Sequence, residues 1–121
     1  MKLLLIALVV IAAVRPAVAC DCETPSARVA YFRSDAVFTG KVTKRTQRHV
    51  TVAIDQRFRG APAGATVEIH GGGMCDLELT VGKTYFVYAK RIDGVLVTGL
   101  CSRTGLLADA KADLAFARDP K

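Results

Sequence analysis

The sequence predicts a mainly β domain: a small five-stranded antiparallel barrel of the OB type, with a short N-terminal helix, a C-terminal helix and two disulfides. Three observations lead there. Five short stretches carry strand composition or a period of two, helical patterning is confined to the two ends of the segment from residue 20 onward, and all four cysteines fall in that segment. A sandwich fits the same strand pattern, and the pattern alone does not choose between them.

The first residues are set aside from the fold. Met1-Lys2 precedes an unbroken apolar run, Leu3 to Val14, then Arg15-Pro16 and the small residues Ala17-Val18-Ala19. This is the pattern of a cleaved secretion signal over residues 1–19, leaving one domain over residues 20–121. As a helix the run spans roughly 18 Å against the roughly 30 Å hydrocarbon core of a bilayer, so no transmembrane span is expected. Cutting after Ala19 makes Cys20 the first residue and frees its α-amine. Small residues before a cysteine also resemble the lipidation site of bacterial lipoproteins, although Ala17 stands where Leu is usual. Acylation there would take both the amine and the thiol of Cys20. The expected location is secreted or periplasmic, with a lipid anchor through Cys20 as the alternative.

The elements follow in order. Thr24 reads as an N-cap with Pro25 at the first helical position, and Ser26 to Ser34 supplies two turns with Val29, Ala30 and Phe32 available for burial. From Ala36 to Thr43 the positions Ala36, Phe38, Lys41 and Val42 alternate imperfectly, but Val, Phe and Thr favour a strand, and Gly40 suggests a bulge. His49 to Phe58 has clean period two, with Val50, Val52, Ile54 and Gln56 on one side. Arg59-Gly60-Ala61-Pro62 breaks it. Ala65 to His70 alternates again and ends in Gly71-Gly72-Gly73, a mobile or tightly turned loop. Thr84 to Ala89, with Tyr85, Phe86, Val87 and Tyr88, reads as a central strand, and Asp93-Gly94 turns it into Val95 to Thr98. Leu106 to Arg118 changes to helical period, with Leu106, Leu107, Ala110, Leu114 and Ala117 on one face.

The chain of 121 residues has room for one domain, and 51% hydrophobic against 23% charged residues excludes a disordered tail. Without Lys2 and Arg15 there remain 15 basic and 11 acidic residues, net +4, which selects no class of partner. An even cysteine count in an exported domain of this size argues for disulfides. One C-x-C and two separate cysteines lack the paired spacing of a structural zinc site. Bridging Cys20 to Cys22 would close a very small strained ring, which leaves two long-range pairings. Either closes loops of roughly 50 to 80 residues, each contributing about 4 kcal/mol on the chain-entropy account.

At this point the residues resemble a family, the N-terminal inhibitory domain of tissue inhibitors of metalloproteinases, within the netrin-like modules. The resemblance is carried by Cys20-Asp21-Cys22, Ser34-Asp35-Ala36-Val37-Phe38, Phe58-Arg59-Gly60, Met74-Cys75, Tyr85 to Ala89, Asp93-Gly94, and Thr98 to Ser102 around Cys101. It implies an OB-fold and the pairing of Cys20 with Cys75 and Cys22 with Cys101. It also implies a metalloendopeptidase inhibitor in which the amine and carbonyl oxygen of Cys20 chelate the zinc of a target protease. A catalytic zinc keeps one position open for water, and one residue's amine and carbonyl can close a five-membered chelate there. A free α-amine titrates at about 7.7 to 8.0, and zinc would draw it toward the neutral, ligating form. The implied protease-binding ridge is Cys20, Asp21, Cys22, Glu23, Gly72, Gly73, Met74 and Cys75. Asp21 departs from the small uncharged residue usual after the first cysteine, and burying its carboxylate unpaired in an apolar pocket would cost several kcal/mol. A basic pocket reverses that sign. The cysteines for the family's remaining bridges have no counterpart here.

The other candidates read as ordinary structure. His49 and His70, the only imidazoles, sit on outward strand positions and read as surface histidines. Asp109 and Asp113 read as a solvated helix face, and Ser102 and Thr104 as caps of the last helix. No enzyme signature is present, and no cofactor, nucleic acid or oligomer is expected. The alternative function is a non-inhibitory extracytoplasmic binding or structural module for an envelope protein or polysaccharide. Its sugar- or strand-binding face would use Tyr85, Phe86, Tyr88, Lys90 and Arg91, although those aromatics read more simply as core.

Overall fold

The computed structural model describes residues 20–71 and 75–121. The leader assigned to residues 1–19 and three ridge residues, Gly72, Gly73 and Met74, lie outside the described residues. After an extended segment come α1 (Ala27–Arg33), β1 (Ala36–Arg45), β2 (His49–Arg59), β3 (Thr66–Gly71), β4 (Thr84–Ile92), β5 (Val95–Thr98), a two-residue β6 (Gly105–Leu106), a 3-10 turn (Leu107–Asp109) and α2 (Lys111–Arg118). The strands run β1-β2-β3-β5-β4, and β4 returns to pair with β1, closing a five-stranded barrel of OB type. Closure with an odd number of strands forbids a wholly antiparallel arrangement, because alternating directions cannot match around an odd ring. The mismatch falls between β3 and β5, which pair in parallel with Ile69 opposite Leu96 and Gly71 opposite Thr98.

β4 shows why one strand reads as continuously apolar. Tyr85, Val87 and Ala89 face the barrel interior with Phe38, Val42, Val52, Ile69 and Leu96. Phe86 and Tyr88 face outward, yet are buried with Val37 beneath Ala30, Tyr31, Ala110 and Ala117 of the helical layer. Both faces are covered, so period two disappears. The β4–β5 hairpin turns at Asp93 and Gly94, both in the left-handed region (φ 49° and 82°), as a two-residue turn requires. β1 bends around the barrel through register shifts, one of them between Thr39 and Gly40.

Both helices differ from the sequence expectation. The N-cap of α1 is Ser26, not Thr24: its hydroxyl accepts from the Val29 amide at 3.2 Å, and Pro25 stays outside the helix. Its buried residues are Ala30 and Tyr31, while Val29 and Phe32 are exposed. Phe32 instead lies edge-on to Tyr31 and Phe116 at 5.2 and 6.0 Å, with the Arg59 guanidinium 5.9 Å from its ring. The expected helix from Leu106 begins only at Lys111, because Gly105 and Leu106 take up the free edge of β4 opposite Phe86 and Tyr85. Leu106 thereby joins the barrel interior, and Leu107, Ala110, Leu114 and Ala117 face the helical layer.

Gly60 closes β2 with φ 54°, and a methyl placed there would run into the Asp35 carbonyl oxygen. Gly60→Ala is expected to lower stability by roughly 2 kcal/mol or more, whereas Gly94→Ala, with open space around it, costs about 1 kcal/mol. Urea unfolding midpoints of the two variants check this difference, and equal midpoints would contradict it.

Candidate functional site

Residues 20–26 form no helix or strand. They are fixed to the barrel by covalent bonds: Cys20 to Cys75, with 5.5 Å between Cα atoms, and Cys22 to Cys101, with 5.6 Å. Of the two long-range pairings the spacing left open, this is the one present. The two anchoring turns are themselves neighbours. The Leu100 amide donates to the Cys75 carbonyl at 3.1 Å, and Gly99 lies so close to that carbonyl that a Cβ would stand 3.2 Å from it. The four half-cystines therefore sit at one end of the barrel, beyond the parallel β3–β5 ladder. Asp21 and Glu23 are exposed there, and Cys20 and Cys22 are half-buried.

The turn carrying Cys101 is held by a hydroxyl cluster. Thr98 donates to the Tyr88 carbonyl at 2.8 Å, Thr104 accepts from the Tyr88 amide at 2.9 Å, and Ser102 donates to the Gly99 carbonyl at 2.7 Å. Thr104 thus ties the turn to β4 and Ser102 braces it internally, and neither caps α2, whose N-cap is Ala110 with no side-chain hydrogen bond. Neither hydroxyl has an imidazole among its hydrogen-bond partners. The aromatics considered for stacking bases or sugars, Tyr85, Phe86 and Tyr88, are buried at 5% exposure or less. They are core.

Arg103 joins the N-terminal segment to the helical layer. Its backbone is left-handed (φ 76°), a conformation a non-glycine residue keeps only when its surroundings fix it. One guanidinium nitrogen donates to the Pro25 carbonyl at 3.1 Å; Nε and Nη2 donate to the two oxygens of Asp113 at 2.5 and 3.3 Å. Tyr88 donates to the same carboxylate at 2.5 Å. Asp113 is only 5% exposed, which corrects the expectation of a solvated carboxylate on the last helix. The legible signal was its position, three residues after Ala110 and four before Ala117 on the buried stripe. Burial alone would raise its pKa, but the hydrogen bonds from Arg103 and Tyr88 and the guanidinium charge outweigh it and hold the carboxyl below its usual range. Burial, reinforced by the hydrogen bond to Asp113, pushes the Tyr88 phenol far above its own.

Beside the disulfides lies an open cavity of about 290 Å³, lined mainly by apolar atoms of Pro25, Cys75, Val97, Leu100 and Cys101. Leu100 and Ile92 are about half exposed at its margin, and Arg33 and Lys90 bring positive charge. No helix among the described residues is long and apolar enough to cross a membrane. The chain matches no protein-family model and no curated protein.

The structure also brings together residues the sequence kept apart. His49 and His70 are cross-strand partners on β2 and β3, and Glu68 lies beside both. Spacing along the chain carries no signal of this, because it depends on the β2–β3 register.

A carboxyl whose native pKa is depressed contributes stability that is complete above its unfolded value, about 3.9, and is lost as pH falls through the native value. Asp113→Asn is expected to cost about 2 to 4 kcal/mol at neutral pH and to flatten the acid limb of the stability curve. Tyr88→Phe should cost about 1 kcal/mol. Urea midpoints measured from neutral to acidic pH test both, and an unchanged acid limb in Asp113→Asn would contradict the assignment.

Proposed function

We propose that the protein is an exported inhibitor of zinc metalloendopeptidases that acts through its N-terminal segment, in the manner of the tissue inhibitors of metalloproteinases it resembles. One observation carries the reading: the pair of disulfides fixes residues 20–23 against the Cys75 and Cys101 turns at one end of the barrel. A segment immobilised before binding loses little conformational freedom on entering a cleft. Once the leader is cut after Ala19, the amine and carbonyl of Cys20 form a bidentate ligand for the open position of a protease zinc, displacing the water that would attack the substrate. Asp21 follows directly and faces the specificity pocket, so the target has a basic pocket.

The Cys20–Cys75 bond also bears on the lipoprotein alternative, because acylation would take the same sulfur. A bridged Cys20 therefore supports the free amine. The second reading, a non-inhibitory extracytoplasmic binding module, draws support from the apolar cavity beside the disulfides, which suits a protein partner better than a sugar.

The mature protein beginning at Cys20 is expected to inhibit at least one member of a panel of zinc metalloproteases at one-to-one stoichiometry, and one alanine added before Cys20 abolishes that inhibition. Asp21→Ser shifts preference toward proteases with apolar pockets, by roughly tenfold to a hundredfold in inhibition constant. A panel left uninhibited, or inhibition that survives the added alanine, overturns the proposal.

A further inference from the structure

We propose that His49, Glu68 and His70 form a binding site for a divalent transition metal of the zinc and copper class on the outer face of the β2–β3 pair. Their ligand atoms lie within 4.8 Å of one another. His49 stands directly opposite His70 in the ladder, with ring centroids 5.3 Å apart and planes 31° from parallel. Glu68, two residues before His70 on the same face, places one carboxylate oxygen 3.5 Å from Nε2 of His49 and the other 3.8 Å from Nε2 of His70. The backbone of two paired strands sets these positions, so the site is built into the register.

Hydrogen bonding at Thr46 orients the first ring. The Thr46 hydroxyl donates its one hydrogen to the His49 carbonyl at 3.2 Å and accepts from the amides of Arg48 and His49. The same hydroxyl lies 3.3 Å from His49 Nδ1, so the Nδ1 edge of the ring is held toward Thr46 and Nε2 is the nitrogen 3.5 Å from Glu68. Imidazole ligands of metals generally have one nitrogen hydrogen-bonded to a polar neighbour and the other turned to the ion, and Thr46 is such a neighbour for His49. A direct N–H to carboxylate bond closes to about 2.7 to 2.9 Å, whereas ligands around tetrahedral zinc stand about 3.3 Å apart. The two Glu68–imidazole separations, 3.5 and 3.8 Å, lie nearer the second spacing than the first.

Two imidazoles and one carboxylate are a donor set that borderline divalent ions favour and hard ions such as magnesium do not. All three groups retain exposure, with side chains 26%, 61% and 31% accessible for His49, Glu68 and His70, so an ion can enter from solvent and keep water at its remaining position. Arg45 and Arg48 line a depression that also borders His49 and His70. Arg45 is paired with Glu78 at 3.1 Å, and Asp76, whose carboxylate rests against Gly71, adds negative charge to the depression.

The test titrates zinc chloride into tag-free, metal-depleted protein by calorimetry and follows the imidazole carbon-bound protons by NMR. One zinc is expected to bind per chain, with the signals of both histidines shifting, while magnesium chloride produces no heat. His49→Ala and His70→Ala should each weaken zinc binding by roughly tenfold or more, and Glu68→Gln by about tenfold. All three positions keep solvent exposure, so the variants should match the wild type in metal-free circular dichroism and melting temperature. At the same zinc concentration the rise in melting temperature should be larger for the wild type than for any of the three variants. Zinc binding of equal strength in the two histidine variants, or no binding up to about 1 mM zinc, overturns the proposal.

Discussion

The N-terminal segment has no strand to pair with and no helix of its own, so its position depends on covalent and hydrogen-bonded ties to the barrel end. Two disulfides supply the first and Arg103 the second. The chain-entropy contribution of such bridges is about 4 kcal/mol each, and it falls on a domain of about 100 residues whose net stability is of order 10 kcal/mol. Arg103 connects these ties. It follows Cys101 by two residues, grips the Pro25 carbonyl, and is itself gripped by a buried carboxylate on α2. Losing Asp113 would free the guanidinium, loosen Pro25 and leave Tyr88 without its partner, so helix packing and placement of the N-terminal segment are one problem.

The barrel provides the rigid base this requires. Its five strands close on themselves, and the obligatory parallel pairing brings the ends of β3 and β5 side by side. The two turns that carry Cys75 and Cys101 leave from those ends. Placing the required parallel pair between β3 and β5 therefore delivers both anchoring cysteines to the same end. β4, buried on both faces, transmits the arrangement inward through Tyr88, whose backbone holds Thr98 and Thr104 and whose hydroxyl holds Asp113.

Much of this architecture was legible in the sequence because strand period, a two-residue Asp-Gly turn and an even set of cysteines can be read directly from the chain. β2, β3 and the β4–β5 hairpin lie within a residue or a few of where their patterns place them. What escaped is what depends on long-range contact. Leu106 carries a helical pattern but pairs with Tyr85, and α2 starts five residues later as a result. Thr24-Pro25 looks like a helix start, yet Pro25 is occupied by Arg103 and the cap passes to Ser26. Asp113 reads as solvated until its partner ten residues back is placed beside it. His49, Glu68 and His70 become neighbours only once β2 and β3 are in register.

The central claim of the proposal, a bridged Cys20 that begins the mature chain with its α-amine unacylated, is tested most directly by intact mass spectrometry of the protein recovered from its native host, with and without reduction. The account predicts a chain beginning at Cys20 and four hydrogens lighter before reduction than after. A diacylglyceryl adduct, retained residues upstream of Cys20, or a mass unchanged by reduction would contradict it.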